Sequence, residues 1–307
     1  MTAHAAGVLA IIVTSILWGT TGTAAALAPG VSPLAIGSAA LGIGGVLQLA
    51  VSGRSVRRSI PALQGRWGIV AVGGIAVAIY PLAFYSAMHL AGVAVGSVIA
   101  LGSASLAAGI LERVIDRRVL GRRWRAAAGL AIVGGAALAL SHGTVDAGPA
   151  PLLGVMLGLV AGFTYALYSW AVRRLIAGGV ERAAGMGVVF GLGGMLLLPV
   201  LVVTGAPLLQ TPQAFTVAAY MALVPMFAGY LLFGFGLARV PASTATTVTL
   251  LEPVFATLLA VVVLGERISP VGWAGMAAIG VALLILTARP RASLVVAGPV
   301  ADVRTPV

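Results

Sequence analysis

Residues Pro241 to Arg267 read PASTATTVTLLEPVFATLLAVVVLGER, and their reading decides the fold. A carboxylate, Glu252, stands directly before a proline in the middle of an apolar run. An ionisable group at the centre of a bilayer costs between about 2.5 and more than 10 kcal/mol, so such a residue points to function by default. That argument holds only if the chain spans a membrane, which its composition and charge placement can test.

The chain has 307 residues, 60% of them hydrophobic and 8% charged. A soluble domain carries about 25% charged residues, so the composition is that of a polytopic membrane protein. Its 42 glycines suit helices that must approach closely where lipid supplies no hydrophobic driving force for packing. The absence of cysteine excludes disulfides, thiol catalysis and thiolate metal sites. Every basic residue is arginine, which leaves no lysine amine for Schiff-base chemistry. A net charge of +11 could suggest nucleic acid, but the arginines lie in short loops, where they orient a membrane protein instead.

A spanning helix needs about 20 apolar residues. Ten windows are expected to span: Ala5 to Leu27, Val31 to Ser52, Trp67 to Leu90, Ala91 to Glu112, Trp124 to Ser141, Pro151 to Val172, Ala183 to Thr204, Gln213 to Leu237, Pro241 to Leu264 and Pro270 to Ala288. Gly92 and the Arg239-Val240-Pro241 run are the expected breaks between windows that nearly touch. The first window ends in a small-x-small pattern but lacks a basic leading region and is too long for a signal peptide. With ten spans and both termini cytoplasmic, every arginine except Arg267 falls on the cytoplasmic side, and Arg267 has Glu266 beside it. This predicts a multi-pass protein of the bacterial inner membrane.

The two halves show faint self-similarity. Leu101, Ala107, Val114 and Arg118 match Leu250, Ala256, Val263 and Arg267, while Gly129, Gly134, Ala136, Leu138 and Leu140 match Gly275, Gly280, Ala282, Leu284 and Leu286. Five spans is an odd number, so the second copy must enter the membrane from the opposite side. The expected fold is therefore all-α and integral to the membrane, with ten transmembrane helices as two inverted five-helix repeats around a central cavity. The repeats cover 1–142 and 143–290, followed by a disordered cytoplasmic tail at 291–307. Inverted repeats recur in secondary transporters, whose substrate sites lie near the midplane between them.

Leu17-Trp18-Gly19, together with the run Leu251-Glu252-Pro253-Val254-Phe255-Ala256 leading to Leu264-Gly265-Glu266-Arg267, resembles the EamA type of the drug/metabolite transporter superfamily over roughly residues 5 to 288. Within the superfamily, length, charge balance and central aromatics look most like the bacterial amino-acid exporters, including those for aromatic amino acids. The resemblance implies a secondary transporter that exports small metabolites, and the narrower one implies amino acids, moved by alternating access. The first repeat departs from the pattern, because Ser103 and Ala104 occupy the Glu-Pro positions.

The candidate cavity residues are Trp18, Tyr80, Tyr85, Ser103, Tyr168, Thr246, Thr249 and Glu252. Glu252 has two readings: it accepts and releases a proton as access changes, or it stays paired with hydroxyls and holds the ninth span. Thr246 and Thr249 belong to a hydroxyl-rich run that either lines a substrate path or bonds its own helix. Pro81, Pro225 and Pro253 each remove a backbone hydrogen bond at depth, which makes a hinge or a fixed kink. Trp18, Tyr80, Tyr85 and Tyr168 lie deep enough to stack an aromatic or cationic substrate or to pack a core. Trp67, Trp124, Trp170 and Trp273 are read as interfacial anchors.

No pair of His4, His89 and His142 has metal-ligand spacing, so neither a metal nor a cofactor is expected. The partners expected are a small-molecule substrate such as an amino acid, the lipid bilayer and, under the first reading of Glu252, protons; nucleic acid is not. An intramembrane enzyme would need a nucleophile with a base or a metal constellation, and none is legible. A channel or scaffold, and a multidrug exporter of the same fold, are the remaining alternatives.

Overall fold

The computed structural model describes residues 2–141, 149–264 and 268–287, and among them every regular element is helical. Among the described residues nine helices are long and apolar enough to cross a membrane. They are α1 (Ala3–Ala26), α2 (Pro33–Leu63), α3 (Trp67–Ala91), α4 (Val93–Val114), α5 (Arg122–Ser141), α6 (Pro151–Ala177), α7 (Arg182–Thr204), α8 (Pro212–Leu237) and α9, which starts at Ala242. A shorter apolar helix, α10 (Pro270–Leu286), follows. His142, Asp146, Glu266, Arg267 and the tail at 291–307 lie outside the described residues.

Local sequence explains where these helices start and stop. Ser32 and Thr211 each accept a hydrogen bond from the backbone N–H three residues on, and each is followed by a proline at the first helical position. Between α3 and α4 the chain turns at Gly92 with φ of +89°, a conformation that glycine adopts without steric cost. The second window was expected to end at Ser52, yet α2 continues to Leu63. Ser59 and Leu63 remain buried along this extension while Arg54, Arg57 and Arg58 are exposed, so an amphipathic pattern carries the helix past the apolar run.

The largest helix–helix interfaces all join the first half of the chain to the second: α3 with α6, α5 with α10, α4 with α6, α2 with α7, α3 with α7, and α1 with α8. The halves are interleaved rather than packed as two separate bundles. Small residues allow the close crossings. At the α5–α10 contact a Cβ added to Gly134 would lie 2.7 Å from the Gly275 carbonyl oxygen, a distance that no side chain tolerates.

The three prolines expected to bend helices behave differently. Pro225 lies within a π-helical segment of α8, Ala222–Ala228. Pro81 stays within regular α-helix. In α9 the chain runs as α-helix over Ala242–Val248, tightens to a 3₁₀ turn at Thr249–Leu251 and resumes as α-helix at Glu252–Leu264. The Thr249 carbonyl, denied the N–H that Pro253 lacks, accepts instead from the Glu252 N–H.

Candidate functional site

The tightened turn of α9 delivers Glu252 to the middle of the protein, where it is 7% exposed. With Trp18 and Thr21 of α1, Tyr80, Pro81, Phe84 and Tyr85 of α3, and Met226 and Tyr230 of α8, it lines a cavity of about 10 Å³. That volume is roughly the room for one water. The Oε2 atom of Glu252 is buried without a hydrogen-bond partner among the described residues. A carboxylate in these surroundings needs either a proton or a cationic ligand.

Aromatic rings surround this point. Trp18 donates from its indole N–H to the Pro225 carbonyl at 2.9 Å, which uses the acceptor exposed by the π-helical segment. Its ring lies 4.8 Å from that of Tyr230 and 5.2 Å from Phe233. Tyr80 contacts Phe84, Tyr165 and Tyr168 with ring centroids 5.4 to 5.6 Å apart. Two hydroxyl bonds fix the cluster: Tyr168 with Tyr230 at 2.7 Å, and Tyr165 donating to the Thr249 hydroxyl at 3.0 Å. Five helices contribute, so no single element could assemble it.

Of the residues anticipated for the cavity, Trp18, Tyr80, Tyr85 and Glu252 meet at its wall. Tyr168 and Thr249 stand one layer behind, bonded to Tyr230 and Tyr165. The Thr246 hydroxyl is fully buried and donates to the Ala242 and Ser243 carbonyls of its own helix. Ser103 donates to the Ala100 carbonyl and lies against α6 at Gly162, outside the cavity wall. Sequence reasoning missed Thr21, Met226, Tyr230, Phe190 and Phe233. The three-residue spacing of Tyr230 and Phe233 on one face of α8 was the available signal.

A second buried carboxylate was missed as well. Glu112, at the end of α4 and 3% exposed, accepts from the Ser243 N–H at 3.1 Å and from the Ser243 hydroxyl at 2.7 Å. Residue 241, the position before α9, is proline and offers no capping side chain, so Glu112 caps that helix from across the interface. Arg118 lies 3.6 Å from the same carboxylate. Two turns of α4 further in, the Ser105 hydroxyl bonds that of Thr247. Nearby, Asp116 pairs with Arg174 and accepts from the Trp170 indole at 2.9 Å. Trp170 is therefore buried at 8% exposure rather than a surface anchor, whereas Trp67 and Trp273 are each 53% exposed. No cluster of three or more metal-ligating side chains occurs among the described residues.

Comparison with known proteins places this architecture. Residues 152–288 match the model of the EamA-like transporter family. An uncharacterized transporter, YwfM, of Bacillus subtilis is 36% identical over 285 residues, covering 92% of this chain and 94% of its own length. Protein RarD of Streptomyces exfoliatus is 32% identical over 209 residues, covering 64% of this chain and 61% of its own. A solved crystal structure superposes with a TM-score of 0.73 at 19% identity over 92% of this chain and 96% of that one, which shows a shared fold. The chain is a multi-pass membrane protein and belongs to the EamA-like transporter family of the drug/metabolite transporter superfamily.

Proposed function

We propose that the protein is a secondary transporter of the bacterial inner membrane that exports small metabolites, amino acids or close relatives, by alternating access around Glu252. The observation that carries this reading is the unpartnered Glu252 oxygen inside a closed aromatic chamber between the two halves of the chain. Rings on several sides suit a substrate with an apolar or aromatic body, and the carboxylate suits an ammonium group. When no substrate is bound, a proton serves the same electrostatic purpose, which gives Glu252 a way to couple the two.

The helix pairings support two inverted five-helix repeats across ten spans with both termini cytoplasmic. If α1 to α5 correspond to α6 to α10, each of the largest contacts has a counterpart: α3 on α6 and α8 on α1, α4 on α6 and α9 on α1, α3 on α7 and α8 on α2. The α2–α7, α4–α9 and α5–α10 contacts map onto themselves. Rocking of such interleaved repeats alternates access.

At present the chamber has room for about one water, and both ends are tied. Glu112 and Ser243 join α4 to α9 at the arginine-rich end, while Thr20 bonds Tyr220 at 2.7 Å and Gln213 reaches the Leu27 carbonyl at 2.8 Å toward the other. Export requires these ties to open in turn, with the arginine-rich end on the cytoplasmic side loading the substrate.

Counterflow in proteoliposomes, with a panel of labelled amino acids, amines and lipophilic cations, tests the assignment. Faster exchange of aromatic or aliphatic amino acids than in empty liposomes is the expected result. Exchange of the lipophilic cations alone would instead identify a multidrug exporter, and exchange of none would reject the reading.

A further inference from the structure

A second cavity, of about 460 Å³, opens at the arginine-rich end between the start of α3 and the ends of α4 and α6. Its wall carries Arg66, Arg118, Arg173 and Arg174 against two carboxylates, Glu112 and Asp116. Both carboxylates are already committed, Glu112 to Ser243 and Arg118 and Asp116 to Arg174 and Trp170. Among the described residues Arg66 and Arg173 have no carboxylate at ion-pair distance. Arg66 instead donates through Nη1 to the Gly178 carbonyl at the end of α6, and Arg173 through Nη1 to the Leu237 and Ala238 carbonyls at the end of α8.

These bonds hold two guanidinium groups in place while leaving Nε and Nη2 of each for another acceptor. The arrangement exceeds what topology asks. Orientation in the membrane requires only that arginines lie on the cytoplasmic side. It does not require two of them to be anchored by helix-terminal carbonyls around a shared cavity with an excess of two positive charges. The first turn of α3 adds no acidic residue to offset them. A planar fork of donors matches phosphate oxygens, and basic pockets between helix ends lie at the depth of phospholipid headgroups.

We propose that this pocket binds a phosphate-bearing anion, supplied by an anionic phospholipid headgroup or as free phosphate. The site is separate from the aromatic chamber and does not depend on which substrate is exported.

The test compares thermal unfolding of the purified full chain, followed by tryptophan fluorescence, with R66Q, R173Q, the double variant and R57Q, a change at an exposed arginine of α2 outside the pocket. Each protein is titrated with phosphatidylglycerol or phosphatidylcholine, and separately with inorganic phosphate or chloride at matched ionic strength. The wild-type and R57Q midpoints should rise by several degrees with phosphatidylglycerol and not with phosphatidylcholine, and the double variant should lose at least half of that rise. The same pattern with inorganic phosphate alone would identify free phosphate as the ligand. An equal response in wild type and double variant, or no response in the wild type, overturns the proposal. If the double variant does not fold, native mass spectrometry of wild type and R66Q decides, and equal phosphatidylglycerol and phosphatidylcholine adducts on the wild type, or no loss in R66Q, refute the site.

Discussion

Glu112 and Glu252 are both buried carboxylates on α9's path, the first reaching its first turn from α4 and the second belonging to its middle, and their surroundings differ completely. Glu112 is 3% exposed and accepts two hydrogen bonds from Ser243, with Arg118 nearby. Glu252 is 7% exposed, is surrounded by rings and keeps an oxygen without a partner among the described residues. A satisfied carboxylate joins two helices and resists change. One left unpartnered in a low-dielectric interior is costly unless a proton or a ligand arrives, which makes it the group whose state can alter during a transport cycle.

The difference can be broken by experiment, beginning at the tie. Glu112→Ala leaves the Ser243 N–H and hydroxyl buried without their acceptor, and the expected cost is about 3 kcal/mol, roughly a hundredfold in the folding equilibrium. Denaturant unfolding in detergent checks it, and a loss below about 1 kcal/mol would mean that the cap contributes little.

Glu252→Gln probes the other side of the comparison. Counterflow should fall at least tenfold, about 1.4 kcal/mol in the barrier, while the unfolding midpoint holds or rises because a neutral amide is easier to bury than a carboxylate. Any dependence of transport on pH across the acidic-to-neutral range should flatten in this variant. Undiminished transport with unchanged pH dependence would return Glu252 to a purely structural role. The smallest expected effect belongs to Tyr165→Phe, which removes the hydroxyl bond to Thr249 behind the chamber. It should cost about 0.5–1.5 kcal/mol of stability with counterflow retained, and a loss of transport equal to that of Glu252→Gln would move Tyr165 into the substrate path.

Much of the fold was legible because membrane helices announce themselves by length and apolarity. The break expected at Gly92 followed from backbone chemistry that acts locally. The carboxylate at Glu252 stood out because its cost depends on depth rather than on its partners. Tyr230 and Phe233 share a face at three-residue spacing, but in a helix apolar on every side that spacing does not tell whether the face points inward. Trp170 was misjudged for a related reason: its position near a helix end suggested an interface, but Asp116, distant in sequence, draws the indole into the protein.

The sequence by itself determined that the chain crosses a membrane repeatedly, that Glu252 lies at depth, and that Pro253 must disturb the helix around it, because each of these follows from composition or from covalent geometry. Tertiary structure alone decided that Glu112 caps α9, that rings from four helices, α1, α3, α6 and α8, gather around Glu252, and that four arginines from three helix ends share one cavity. Those outcomes join residues far apart in the chain, and interleaving of the two halves is what brings them within bonding distance.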